Sequence, residues 1–258
     1  MFTVEQRDAL RERVLRLAEE DERVVAGALV GSLAVDAGDR FSDLDLTFGV
    51  ADHVQVADVL EGWTRRLIHE LHAVRLVDLE RGPTTYRVFL LPDALQLDLS
   101  MTPAAQFRPA GPRFRLLFGE TAPDEPEAPM PPAAGTLFIP TPTIAGDIFG
   151  WGVIYALHTR ACIERGRVWQ AEHYVGAVRD HALSLACLRH GLPPAQARTY
   201  DDLPDETLAR SDDAHVGAVE PGVLRAALAV SVRVLMHEGG EMRLPHAHVV
   251  AERLAELR

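Results

Sequence analysis

The chain has 258 residues, 47% of them apolar, with a formal net charge of −12, enough for one large domain or two small ones with ordinary cores. No apolar run nears the ~20 residues of a membrane span, and Met1 to Asp8 lacks the charged-then-apolar pattern of an export signal, so a cytoplasmic location without a membrane partner is expected. All 26 basic residues are arginine, which excludes a Walker-type phosphate lysine and a Schiff-base lysine, and no basic run marks a nucleic-acid stripe.

Val4 to Glu22 predicts an amphipathic helix, with Leu10, Val14, Leu17 and Ala18 at helical spacing and Thr3 as N-cap. Val24 to Val30 reads as an apolar strand that ends in the turn Gly31-Ser32. Gly31 lets backbone approach a ligand closely, and Ser32 offers a hydroxyl and an N–H to phosphate oxygens. Gly31 to Val35 is expected to begin a short helix whose N–H groups face an anion. After a polar loop, Ser42 leads into a second strand, Asp43-Leu44-Asp45-Leu46-Thr47-Phe48. Alternation puts Asp43 and Asp45 on one face and Leu44 and Leu46 on the other. Two carboxylates that close repel each other unless a cation sits between them, and Mg²⁺ is the natural oxygen-binding cation. The plain alternative is a solvated strand start.

Asp52 to His72 predicts a helix with Val56, Val59, Leu60, Trp63, Leu67 and Leu71 as its apolar stripe. His69 and His72 have no acid or Cys at metal spacing and read as surface residues. Ala73 to Leu79 is a third strand, and Arg81-Gly82-Pro83 turns the chain into two β-rich runs, Tyr86 to Leu91 and Ala94 to Met101, joined at Pro92-Asp93. Asp98 shares the polar face of the second run with Gln96 and Ser100. An acid between two leucines needs a reason, since a buried carboxylate is costly unless paired or bound to metal. The order helix–strand–strand–helix–strand–strand–strand predicts an α+β domain, a mixed sheet with helices on one side. Residues 102 to 121 show no regular period. Arg108, Arg113 and Arg115 fall there and read first as surface charge, with triphosphate oxygens as the alternative.

Seven prolines between Thr121 and Pro142 predict a semi-rigid linker. The expected division is a catalytic domain over residues 1–121, a linker over 122–142 and a helical bundle over 143–258. Thr143 to Glu164 and Val168 to His190 read as helices, the second stopped by Gly191 and Pro193-Pro194. Val168, Ala171, Val175, Val178, Ala182 and Leu185 form its seam. Glu172, Gly176 and Arg179 share another of its faces, where the glycine would admit a neighbouring helix or a ligand. Leu203 to Glu206 starts a short helix, and Val223 to Glu238 and Pro245 to Leu257 complete an antiparallel bundle. His246 and His248 diverge on a helix, which argues against a shared metal. Cys162 and Cys187 are expected buried and reduced.

Gly31-Ser32, ten residues, Asp43-Leu44-Asp45 and then Asp98 in a later strand resemble the nucleotidyltransferase superfamily that includes DNA polymerase β. The resemblance covers residues 24 to 101. The remainder, above all Ile163 to Glu172 with Arg179, looks like the antibiotic (aminoglycoside and lincosamide) branch. It implies transfer of a nucleoside monophosphate, AMP from ATP, to a small-molecule hydroxyl, with antibiotic resistance as the setting and the acceptor between the two domains. Asp43, Asp45 and Asp98 would be catalytic and hold one or two Mg²⁺ ions, with Asp98 also helping to take the acceptor proton. Gly31, Ser32 and Ser42 would bind nucleotide. In some relatives a helical-domain acid is the general base; Glu172 is the candidate here and Glu164 the reserve. Arg179 is the helical candidate for the phosphate-facing lysine this chain lacks. The acidic net charge suits a cationic acceptor and no nucleic acid. A protein-modifying (AMPylating) enzyme and a non-catalytic nucleotide- or partner-binding relative are the alternatives.

Overall fold

The computed structural model describes residues 2–109, 111–123, 142–194 and 197–257. The chain divides into two compact units, Met1–Ala134 and Gly135–Arg258. Most of the proline-rich stretch expected to act as a linker lies outside the described residues. The architecture is α+β, a mixed sheet followed by a helical region.

In the first unit the strands are β1 (Val24–Val30), β2 (Leu44–Val50), β3 (Val74–Arg81), β4 (Thr84–Leu90), β5 (Gln96–Pro103) and β6 (Phe114–Phe118). They form one sheet in the order β3-β4-β5-β2-β1-β6, with β2 and β5 parallel and the other neighbours antiparallel. Helices α1 (Val4–Glu19) and α2 (Val56–Leu71) supply one side of its core. Leu44, Leu46 and Phe48 of β2 and Leu97, Leu99 and Met101 of β5 are all fully buried in that cluster, with Val14 and Leu17 of α1 and Val59, Trp63 and Leu67 of α2. Each such side chain contributes roughly 1.5–3 kcal/mol by leaving water. Because the strand period is two, this burial turns Asp45, Thr47, Asp98 and Ser100 to the other face.

Thr3 caps α1 in a capping box with Gln6, as its sequence suggests. The helix stops at Glu19, short of Glu22, because Asp21 turns the chain. Its carboxylate accepts from the Arg23 backbone and guanidinium and from Trp63 Nε1 at 3.0 Å. Helix α2 starts at Val56, four residues later than its charged N-terminal stretch implies, because the Asp52 carboxylate instead accepts the Ala105 N–H at 3.0 Å. Strand β6 is the element without a periodic signal; it pairs with β1 from Val30–Phe114 to Gly27–Phe118.

In the second unit α3 (Pro142–Glu164), α4 (Val168–Arg189) and α6 (Pro221–Glu241) are the long helices, with α5 (Asp205–Ala209) and α7 (Ala247–Arg253) short. Helix α4 packs on both α3 and α6. Ala171, Val175, Val178, Ala182 and Leu185 are buried along its seam. Glu238, fully buried on α6, accepts from Arg189 at 2.6 and 3.1 Å. Removing one member of such a pair costs about 3–5 kcal/mol, because the other charge is left stranded. Both cysteines are free and buried. No helix among the described residues is long and apolar enough to cross a membrane.

Candidate active site

Three carboxylates meet on the face of the sheet opposite α1 and α2. Parallel pairing places Asp45 of β2 directly beside Asp98 of β5, and Asp43 lies just ahead of β2. One oxygen from each of the three lies within 4.8 Å of the others. All three are half-buried. The sheet forces this crowding, and the charges record it. Burial, then the charges of Asp43 and Asp98, push the Asp45 carboxyl up to about 9. Burial, then Asp43, push Asp98 up to about 7, against the lowering effect of the Gln96 hydrogen bond. Asp45 and Asp98 therefore titrate as coupled groups rather than independently. Three half-buried oxygen donors with unrelieved repulsion fit a hard divalent cation.

Gly31 follows β1 with φ +70, a conformation that disfavours a side chain, and a Cβ there would collide with Asp45 Oδ2. The turn backbone thus passes directly over the acid cluster. Ser32 donates its hydroxyl to Ser42 Oγ at 3.2 Å, and Ser42 donates to Asp39 Oδ1 at 3.2 Å. Ser42 is buried and also accepts the Asp39 N–H at 2.9 Å. Its hydroxyl helps to hold the loop that delivers Asp43. The short helix expected after Gly31 is a single three-residue 3-10 turn, Leu33–Val35; it is too short for an anion-binding dipole, which leaves the Gly31-Ser32 backbone itself.

Three residues of this site have weak signals in the sequence. Gln96 donates from Nε2 to Asp98 Oδ1 at 2.9 Å, while its own buried Oε1 has no hydrogen-bond partner among the described residues. Its only signal in the sequence is that it shares the polar face with Asp98. Arg7, buried on α1, donates from Nη1 to the carbonyls of Asp39 and Ser42 and pins the loop from below. Nothing in its charged neighbourhood distinguishes it. Arg115 donates to Asp36 Oδ1 at 2.8 Å and to the Leu33 carbonyl at 2.9 Å. It braces the segment after Gly31-Ser32, a role other than surface charge or triphosphate contact.

Glu172, Gly176 and Arg179 lie on α4 in the second unit, where each is half-buried. Arg179 donates to Asp180 Oδ1 at 2.9 and 3.1 Å, and Glu164 accepts from Arg225 at 3.0 Å. A Cβ on Gly176 would meet only the Arg179 guanidinium, at 3.8 Å. The close helix expected at Gly176 is therefore absent among the described residues. Gly152 of α3 is where a helix comes close, since a Cβ there would lie 2.8 Å from both Leu235 methyls of α6.

No protein-family profile matches the chain, and no curated protein matches it in sequence. Among solved structures it is similar to an aminoglycoside 6-adenyltransferase from Bacillus subtilis, at 14% identity and a TM-score of 0.36, with 99% of this chain and 92% of that chain covered.

Proposed function

We propose that the chain is a metal-dependent nucleotidyltransferase that moves a nucleoside monophosphate, AMP from ATP, to a hydroxyl of a small molecule. The observation that carries this reading is the convergence of Asp43, Asp45 and Asp98 beneath the Gly31 turn. A sheet that holds three like charges together at a cost in stability is suited to a ligand that relieves it. Asp43, Asp45 and Asp98 would hold Mg²⁺, one ion or two. When bound, it would neutralise charge on the reacting phosphate and on the leaving pyrophosphate.

The residues of the chain do the rest. The Gly31-Ser32 backbone lies close enough to the acids to hold the outer phosphates while the α-phosphorus sits over the triad. In the transfer, the acceptor oxygen forms a bond to the α-phosphorus and the bond from that phosphorus to the β-phosphate oxygen breaks. Pyrophosphate leaves with that electron pair. The acceptor proton passes to a carboxylate of the triad, Asp98. Gln96 fixes the rotation of Asp98, and Arg7 fixes the approach of Asp43. Catalysis of this kind is mainly positioning and charge stabilisation.

The test is to mix the protein with α-labelled ATP, Mg²⁺ and a panel of aminoglycosides, lincosamides and lysate proteins. Label should move to a small molecule with equimolar pyrophosphate, and Asp45→Asn should abolish it. Label on protein instead would make this a protein-modifying enzyme. ATP binding without transfer to any acceptor would make it a nucleotide-binding protein.

A further inference from the structure

Strand register fixes the order of groups along the acid-bearing face of the sheet. β1 runs antiparallel to β2, so the Gly31 turn lies toward the Asp43 end, over Asp45. Asp45 and Asp98 come next, then Thr47 beside Ser100, and then Thr102, whose hydroxyl bonds to that of Thr84 at 2.7 Å. A cavity of about 580 Å³, lined by residues of the first unit, opens over Thr47, Ser100, Thr84 and Thr102. That size suits a small molecule. The triad therefore stands between the turn and the cavity. Ser100 is only 3% exposed, yet among the described residues neither its hydroxyl nor that of Thr47 has a hydrogen-bond partner. These are two neighbouring groups, each able to donate and to accept, turned into an open space. They lie two residues beyond the acids, roughly 7 Å along the strands, about the span of one ring with a hydroxyl at either end. The segment between β5 and β6 brings Phe107, Arg108 and Arg113 to the lining as well.

An in-line displacement puts the attacking and leaving oxygens on opposite sides of the phosphorus. With the outer phosphates at Gly31-Ser32 and the α-phosphorus over the triad, the attacking hydroxyl comes from the side of Thr47 and Ser100. We propose that this cavity is the acceptor site, and that Ser100 and Thr47 select an acceptor with a second hydroxyl within one ring of the hydroxyl that reacts. This rests on the transferase reading above and adds to it the place of the acceptor and the groups that choose it. The reacting hydroxyl bonds to the α-phosphorus and gives its proton to Asp98. The bond from that phosphorus to the β-phosphate oxygen breaks, and pyrophosphate leaves with that electron pair. The second hydroxyl donates to one of the paired floor oxygens and accepts from the other. An acceptor without it would cover both floor hydroxyls and leave them unpaired. A site built around a hydrogen bond rejects the analogue that cannot make it, for that reason.

The experiment uses the full chain, α-labelled ATP with Mg²⁺, and neutral acceptors built on one ring. These are cyclohexanol and the cyclohexanediols with hydroxyls on adjacent, alternate and opposite carbons. At least one diol should exceed cyclohexanol by about tenfold or more in kcat/KM, and the leading diol reads the spacing between the two hydroxyls. Ser100→Ala and Thr47→Val each remove one hydroxyl and keep the strand. Each should raise the KM of the preferred diol about tenfold or more and bring its kcat/KM down toward that of cyclohexanol. Thr47 is only half-buried, so Thr47→Val serves should Ser100→Ala not fold. A variant whose main defect is weaker binding of a non-hydrolysable ATP analogue puts the nucleoside in the cavity and overturns the proposal. Equal use of cyclohexanol and every diol overturns it too, and leaves the transferase standing. Saturation-transfer NMR of the diols on nucleotide-free protein tests the cavity apart from the reaction. Diol contact that Ser100→Ala or Thr47→Val removes, without any labelled product, keeps the hydroxyl site and removes the transferase. Absence of both contact and product overturns the cavity assignment.

Discussion

Two regions carry residues suited to catalysis, and they are built differently. On the open face of the sheet, strand pairing pushes Asp43, Asp45 and Asp98 together, and no counter-charge answers them among the described residues. On α4, Glu172 and Arg179 stand one turn either side of Gly176, and Arg179 is neutralised by its own neighbour Asp180. The first arrangement stores repulsion that a bound cation would release. The second stores none. Repulsion maintained by a rigid scaffold distinguishes a site from a polar surface, and the energetic difference between the two regions can be measured.

The largest difference should appear on removing charge. Asp45→Asn should lower turnover by at least ~10³-fold, about 4 kcal/mol of barrier. The same change should leave melting of the metal-free protein unchanged or raise it, because it relieves repulsion within the triad. Asp98→Asn should behave alike and should shrink the stabilisation from Mg²⁺ with a non-hydrolysable triphosphate, since binding to the folded state supplies it. An Asp98→Asn protein that melts well below wild type, yet gains as much from ligand, would move Asp98 from the site to the core.

The α4 acid should matter less. Glu172→Gln should cost less than about tenfold in kcat, with melting temperature unmoved, because spacing on α4 alone brings it no partner. A loss of about 10²-fold in single-turnover rate, the scale of a general base, would instead bring Glu172 into the reaction.

The contrast should also appear in pH. Asp98 rises from 3.8 in an open chain to about 7 when folded, and Asp45 from 3.8 to about 9. Between about pH 4 and those values the folded form binds more protons than the unfolded form, so stability falls as pH rises. Metal-free protein should therefore melt progressively lower from pH 5 to pH 9, and Mg²⁺ should restore more at pH 9 than at pH 5. Melting curves with Mg²⁺ or with chelator check this. A chelated protein with no slope over that window would mean that the triad is not held under repulsion.

How much of this the sequence discloses follows from how each residue is held. The face packed on α1 and α2 is legible because alternation of leucine with polar residues in β2 and β5 leaves only one face to bury. Asp43, Asp45 and Asp98 are legible for the same reason. Gly31 is legible as a turn, but its position over Asp45 comes from register between β1 and β2. Strand β6 has no alternating signal in Phe114–Phe118, and its partner β1 is more than eighty residues away. Arg7 and Gln96 escape notice because their roles lie in what they touch, a loop carbonyl and a carboxylate rotamer. Glu172 stands out only by spacing along one helix, and spacing alone does not bring partners to it.

The smallest effect expected is at Gly176, and it bears most directly on what α4 is for. A glycine inside a helix costs roughly 0.5–1 kcal/mol relative to alanine. Here an added Cβ would touch, among the described residues, only the Arg179 guanidinium, at an ordinary 3.8 Å. Nothing in the packing of the described residues opposes alanine, so Gly176→Ala should stabilise the protein by that amount, about 2–4 °C in melting temperature for each kcal/mol at this size. A drop in melting temperature would show that a neighbour does come close there. Kinetics then separates the two remaining explanations of the glycine. If a substrate passes over this face, the stabilised variant should show a raised KM with kcat preserved, because a methyl group obstructs binding without touching the chemistry. Unchanged KM and kcat in a more stable protein would make Gly176 a tolerated weakness, and would leave Glu172 and Arg179 with only their spacing to recommend them.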